Sequence, residues 1–422
     1  MTGAMQARGK GCTLLRRRCL ASAVVGLFAL GAFACGAAAY GQVGPYDVRA
    51  FDLGGAANAE GHAALLANPA HLARADRDAR LVVTVGDVRA YAGGDLLQMN
   101  HYESAFVEGR TLADDEAASL LDDWFEGRQR GVRVFAEAVP LAVSRRAEGG
   151  RWALGGAVRM RSIAAARLDR GLFDLVLRGV QTGRTVPLNG RFRMYTITDV
   201  TVAYSRHFPE YNLRLGVAPK IVFGGTFADG HLASSLDVRD DVWTHDFRYL
   251  VRAAGALSTD VFDALNVFAA APLEDVTLPH PFRRMAGTGL GVDLGASRTI
   301  GDVATFAVSL TDVGFVRWSR DAQRLTPANN RFRYEGAELD RERIRSEFGG
   351  RVGDYLRHAL DSLARDAYAD VERERQAFAT MLPMAFHLGL SGRMPGRSSL
   401  QWRVGLSADH RALRNTTLHP SA

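Results

Sequence analysis

Three pairs of adjacent carboxylates are the groups in this sequence most able to do chemistry: Asp114-Asp115, Asp122-Asp123 and Asp240-Asp241. Paired acids can hold a cation or divide acid and base roles between them. None has the DxDxDG spacing of a calcium loop, and each falls in a helix-like or loop-like stretch where a solvated face is the ordinary outcome. The 11 histidines form no HExxH or comparable ligand spacing, so no metal site is expected. Gly287-Thr288-Gly289-Leu290-Gly291 superficially resembles a phosphate loop, but it continues as alternating sequence and opens no helix whose N-terminus could hold a phosphate. No serine stands in a GxSxG context. The expectation is a protein that is not an enzyme and carries no cofactor.

A second set of charges lies inside alternating segments: Arg159, Arg193, Arg214, Asp293 and Arg403. Their setting is clearest in Ala286–Arg320, where Leu290, Val292 and Leu294 fall on one parity and Gly289, Gly291, Asp293, Gly295 and Ser297 on the other. A strand repeats every two residues, so one face is apolar and the other small and polar. After a break at Thr299–Asp302, Phe306, Val308 and Leu310 resume the apolar parity. A soluble sandwich carries Lys and Glu outside, whereas a membrane barrel turns small polar groups toward its lumen. The five charges share that lumenal parity, where a charge is tolerated.

Nine such segments follow Leu81, starting with Leu81–Tyr91 and ending with Leu400–Ser407. Short connections (Arg145–Gly150, His207–Asn212, Thr299–Asp302, Met394–Ser398) alternate with long ones (Ala92–Gly131, Ala166–Gly190, Gly225–Met285, Asp321–Met381). That asymmetry predicts an all-β, antiparallel transmembrane barrel over 81–410, with periplasmic turns and outer loops. Leu232–Val251 is expected to be a hairpin standing above the membrane. Helices are expected in two loops, near 113–124 and over 340–380, the latter from apolar residues spaced by three or four and broken near Gly349-Gly350.

The chain has 422 residues, 44 of them Gly, with a formal charge of +6. Its cations are nearly all Arg and scattered, so no basic stripe points to nucleic acid. Residues 1–39 read as a cleaved export signal: basic residues precede the apolar run Cys19–Ala34, and Ala37-Ala38-Ala39 follows. The alternative is lipidation at Cys35. All three cysteines lie in or beside this leader, so a mature chain starting near residue 40 has no disulfide framework. In 40–80, Pro69 restricts Asn68 to an extended conformation and should stop a helix around Ala59–Ala67.

The Gly/Ala-rich N-terminal stretch with Asn68-Pro69-Ala70, the hairpin GVDLGAS…SLTDVGFVRW with its Asp312-x-Gly-x-x-x-Trp318 strand, Tyr334-Glu335-Gly336 and Leu382-Pro383 together resemble FadL-type outer-membrane transporters and related barrels. The resemblance implies that 40–80 plugs the barrel through Asn68, Pro69 and Ala70. It also implies passive uptake of a hydrophobic small molecule such as a long-chain fatty acid. The implied setting is the outer membrane of a diderm bacterium, with its lipid and the barrel-assembly machinery as partners. The rival expectation is a surface barrel whose loops bind host or partner molecules without transport. The tail 411–422 shows no closing strand, which suggests a C-terminally truncated barrel or one that a second chain closes.

Overall fold

The computed structural model describes residues 59, 62–74, 80–96, 112–239, 242–255, 285–301, 304–334, 341–349, 351, 354–355, 358, 371–394, 397–409 and 419–421, with backbone alone from 393 onward. The expected leader 1–39, Cys35 and Asp240-Asp241 lie outside the described residues.

The chain is mostly antiparallel β-sheet. Its main path runs through β1 (Leu81–Gly93), β2 (Arg130–Arg146), β3 (Trp152–Leu168), β5 (Gly190–Phe208), β6 (Leu213–Val238), β8 (Gly287–Ile300), β9 (Ala304–Trp318), β14 (Ala385–Met394), β15 (Arg397–Asp409) and β16 (His419–Ser421). The first nine of these are the nine alternating segments of the sequence. The tail 411–422, where no closing strand is expected, holds the short β16, whose backbone pairs with Gly405–Ser407 of β15. Among the described residues β1 pairs with β2 alone and meets no strand of the C-terminal end, so the sheet is not closed.

One face of the sheet carries exposed aliphatics, such as Val83, Val85, Val202, Ile221 and Leu290, and the opposite face is buried. Strand irregularities switch parity without breaking pairing. β1 flips at Gly86, whose φ is +71°, and β2 flips at Pro140, which has no N–H to give a ladder.

Leu232–Val251 lies within a strand pair, as the hairpin expected there requires. β6 pairs with β8 over Leu213–Gly224, and its distal half pairs with β7 (Trp243–Ala254) as a hairpin off the main path. β4 (Thr185–Pro187) pairs with Ser235–Asp237 of the same distal half, and β7 in turn pairs with β10 (Gln323–Pro327) and β11 (Arg331–Tyr334). The helix expected near 113–124 spans Asp114–Phe125. A helix the sequence did not suggest, Arg170–Arg178, packs on it through Phe173 against Trp124 and Phe125.

The helix expected over 340–380 is corrected. Among the described residues Arg341–Glu347 is helical, and so are Asp354, Tyr355 and His358 beyond the break near Gly349, but the last part is strand: β12 (Val371–Arg375) pairs with β10 and β13 (Phe378–Met381) pairs with β9. Val371-Glu-Arg-Glu-Arg has period two, and strand pairing sets Glu374 opposite Arg324.

Because the distal hairpin hangs from the sheet edge-on, its tip can be removed. Replacing Ala233–Arg248 with Asn-Gly joins the register partners Leu232 and Tyr249 through a type I′ turn. Circular dichroism should lose the strand signal of the removed residues and of Arg331–Tyr334 and Thr185–Pro187, which pair with them, with the melting of the main sheet retained.

Candidate functional site

The buried face of the sheet gathers the chain's polar side chains into successive layers, beginning at the short-turn end. There the helix His62–Ala67 and the 3-10 turn Pro69–Ala73 lie against β1, β2, β3, β5, β6, β8 and β9. Asn68 separates them in an extended conformation (φ −151°, ψ 97°), as the following proline demands. Asn68, Pro69 and Ala70 are fully or almost fully buried.

The segment fits because the strands beneath it are bare. A Cβ on Gly216 would stand 2.2 Å from the Ala70 nitrogen, and one on Gly295 would stand 2.0 Å from the Asn68 side-chain oxygen. Three hydrogen bonds tie the backbone of the segment to the sheet or close it on itself. Ser205 Oγ donates to the Ala70 carbonyl at 2.9 Å, Ser309 Oγ donates to the Ala67 carbonyl at 2.6 Å, and the Ala70 N–H donates to the Asn68 side-chain oxygen at 3.1 Å. His62 meets Asp87 of β1 at 2.5 Å.

The next layer is ionic. Arg159 and Arg161 of β3, Asp199 of β5, Lys220 of β6, Asp293 of β8 and Asp312 of β9 are all buried, with Glu137 of β2 beside them. Arg161 bonds Asp312 at 2.5 Å and Asp199 at 2.9 Å, and Lys220 bonds Asp293 at 2.7 Å and Asp312 at 2.8 Å. Arg159 reaches Asp199 at 3.1 Å, Asp312 at 3.2 Å and Glu137 at 3.8 Å.

Asp312 is aimed into this cluster by a bulge: Thr311 and Asp312 together oppose Asp293. Asp312 adopts φ +56° and donates its N–H to Asp293 Oδ1 at 2.6 Å. Asp is among the few residues that take this left-handed conformation readily.

Above the ions lies an apolar layer that includes Phe135, Ile163, Tyr195, Phe227 and Trp318, with the Trp318 indole donating to Thr380 at 2.9 Å. Leu382 completes it and donates its N–H to the Gly314 carbonyl.

The charges picked out in the sequence thus separate. Arg159 and Asp293 enter the cluster. Arg193 sits further out, paired with Asp229 at 3.1 Å, and Arg214 donates to Thr299 Oγ1 at 3.2 Å near a short turn. The side chain of Arg403 lies outside the described residues. Alternation does not single out Arg161, Asp199, Lys220 and Glu137, and Asp312 stands out only as the start of the motif that ends at Trp318. Lys220 carried a signal, being with Lys10 one of only two lysines in the chain. Among the paired acids, Asp114 is held below the usual carboxylate range by its bond to Arg178, and Asp122 pairs with Arg170. Both serve to fasten the two loop helices.

Two outcomes are expected. Gly216→Leu should expel the N-terminal segment, seen as faster tryptic cleavage at Arg74 with the sheet intact. Asp312→Ala should lower stability by about 3–5 kcal/mol in urea refolding, since it leaves Arg161 and Lys220 short of a buried partner.

No curated protein matches the chain. A family model described only as a family of unknown function, DUF5723, matches residues 82–420, which takes in all of the sheet apart from Leu81 and Ser421. The chain belongs to that DUF5723 family.

Proposed function

We propose that this protein is an outer-membrane β-barrel for the passive uptake of hydrophobic small molecules, with residues 62–73 as its internal plug. The observation that carries the reading is the reversal of faces. Aliphatic and aromatic side chains stand outward on the main strands, Val85 at 76% exposure and Leu290 at 59%, while the carboxylates and guanidiniums are buried within. In water so extended an apolar surface would be a liability, but against lipid it is at home. The unpaired flanks of β1 and of the C-terminal strands must be satisfied in hydrocarbon, since each orphan backbone group there costs several kcal/mol. Closure into a barrel does this.

The interior favours selective passage over an open pore. The plug fills the short-turn end and the ionic layer crosses the middle, so water and small ions face a closed channel. The plug is held by its fit over glycines, by a few hydrogen bonds, by the His62–Asp87 contact and by the packing of Leu65 and Leu66 against Val139 and the small residues of the strands, and passage requires it to shift out of these contacts. A ligand entering from the long-loop end passes Arg193 and Arg252 on Asp229 and then meets the apolar layer.

Liposomes bearing the protein should take up a fluorescent long-chain fatty acid several-fold faster than empty ones. An A70C/S205C cross-link should slow uptake, and dithiothreitol should restore it. Uptake no faster than in empty liposomes would move the assignment to a surface barrel that binds partners through its loops. Val202→Arg, on the lipid side, should impair insertion by about 2–4 kcal/mol near the bilayer midplane.

A further inference from the structure

The outward face of the sheet changes character near the short turns. On that face of β2, β5 and β8 the exposed aliphatics give way to Arg145, Arg206 and Arg298, all exposed. From the middle of the sheet to the short turns, no carboxylate stands on the outward parity of β2, β3, β5, β6, β8 or β9. Among the described residues the short turns add Glu148, which bonds Arg80 at 2.7 Å, and Glu210, and neither pairs with the three arginines.

The three arginines lie at one level around the wall. The rung of Arg145 runs through Leu154, Tyr204, Val217 and Leu294. Arg206 stands two residues past Tyr204 toward the short turns and Arg298 four past Leu294, so the arginines drop four residues over the four strand steps from β2 to β8. Barrel strands tilt by roughly 40°, and at ~4.8 Å between strands a level line then shifts by about 4 Å, roughly one residue, at each step. The ionic layer has the same slant. The rung of Arg159 reaches Gly289 through Asp199 and Val222, yet the member of the layer on β8 is Asp293, four residues nearer the turns over three strand steps. Exposed rings interleave with the arginines, Trp152 and Phe306 beside their level and Tyr204 just toward the middle of the sheet. Arg206 lies 5.2 Å over the ring of Phe208.

We propose that this belt binds the phosphate groups of anionic phospholipids in the leaflet on the short-turn side, the guanidiniums gripping phosphate oxygens and the rings lying at the edge of the hydrocarbon. Guanidinium matches phosphate oxygens bidentately, and aromatic rings settle at the boundary between hydrocarbon and headgroup. An arginine stem lies along an apolar wall while its charged head reaches that boundary. Charge selects the occupant. A headgroup with a net negative charge meets only cations on this belt, whereas a zwitterionic one brings an ammonium for which the belt has no carboxylate. The inference rests on the membrane half of the uptake reading and is indifferent to what the interior carries.

The test uses the full protein in maltoside micelles holding equal amounts of phosphatidylglycerol and phosphatidylethanolamine with the same acyl chains, and native mass spectrometry counts the lipids of each kind that the protein retains. Phosphatidylglycerol should be retained several-fold over phosphatidylethanolamine, and equilibration at higher salt should narrow the ratio. R145Q/R206Q/R298Q should bring the ratio close to one with the circular dichroism spectrum unchanged, and R206Q and R298Q alone should each lower it part of the way. R317Q, exposed on the outward parity at the long-loop end of β9, should leave the ratio as it is. A ratio near one for the unaltered protein, a ratio that survives in the triple and both single variants, or a ratio lost in R317Q instead overturns the belt and leaves the barrel standing. A protein that stays monodisperse in buffer without detergent overturns the membrane reading, and the belt with it.

Discussion

Arg161 and Asp312 belong to strands with three others between them in the sheet, yet their side chains meet at 2.5 Å. On a flat sheet four strand steps would set them about 19 Å apart at ~4.8 Å per step. The pair therefore requires the sheet to coil, and nearly everything else in the interior depends on that coiling. It brings Lys220 within reach of two carboxylates. It also lets one short N-terminal segment touch β1 and β9 at once.

The coil is made affordable by small residues. An interior that must hold a helical segment, a set of ion pairs and a layer of rings needs strands that come close without collision. Gly216 and Gly295 yield to the segment, and Gly314 yields to β8, where a Cβ would meet the Leu290 carbonyl at 2.1 Å. Close packing leaves no slack for an added methyl group at such points. The same glycines that look like weak strand formers in the sequence are what the contents of the fold require.

This explains which parts were legible beforehand. Parity tells which face a side chain takes, so the nine strands, the hairpin Leu232–Val251 and the inward sense of Arg159 and Asp293 could be read directly. Pro69 gave the end of the first helix for a local steric reason. Parity does not tell which distant strands meet, and a bulge reverses it. Asp312 shares its parity with Phe306, Val308 and Leu310, and simple alternation sends it outward; the extra residue at Thr311 turns it in. A second bulge, at Gly225 opposite the Thr196–Ile197 step, likewise switches the inward parity of β6 between Val222 and Phe227. The helix Arg170–Arg178 was missed because its stability comes from packing on Trp124 and Phe125, a partner over forty residues away in sequence.

The order of the interior layers is itself a physical statement. Buried ion pairs are poor sources of net stability, since desolvation offsets most of their attraction, but they are intolerant of misalignment. A cluster in which every cation has at least two acidic neighbours can form in only one strand register. Placed between an apolar ring layer and a glycine-lined cradle, neither of which distinguishes one register from a slipped one so sharply, it supplies the specificity that both neighbours lack. The ionic layer thus fixes the register, the register places the glycines under Asn68-Pro69-Ala70, and the seating of that segment follows from charges it never touches.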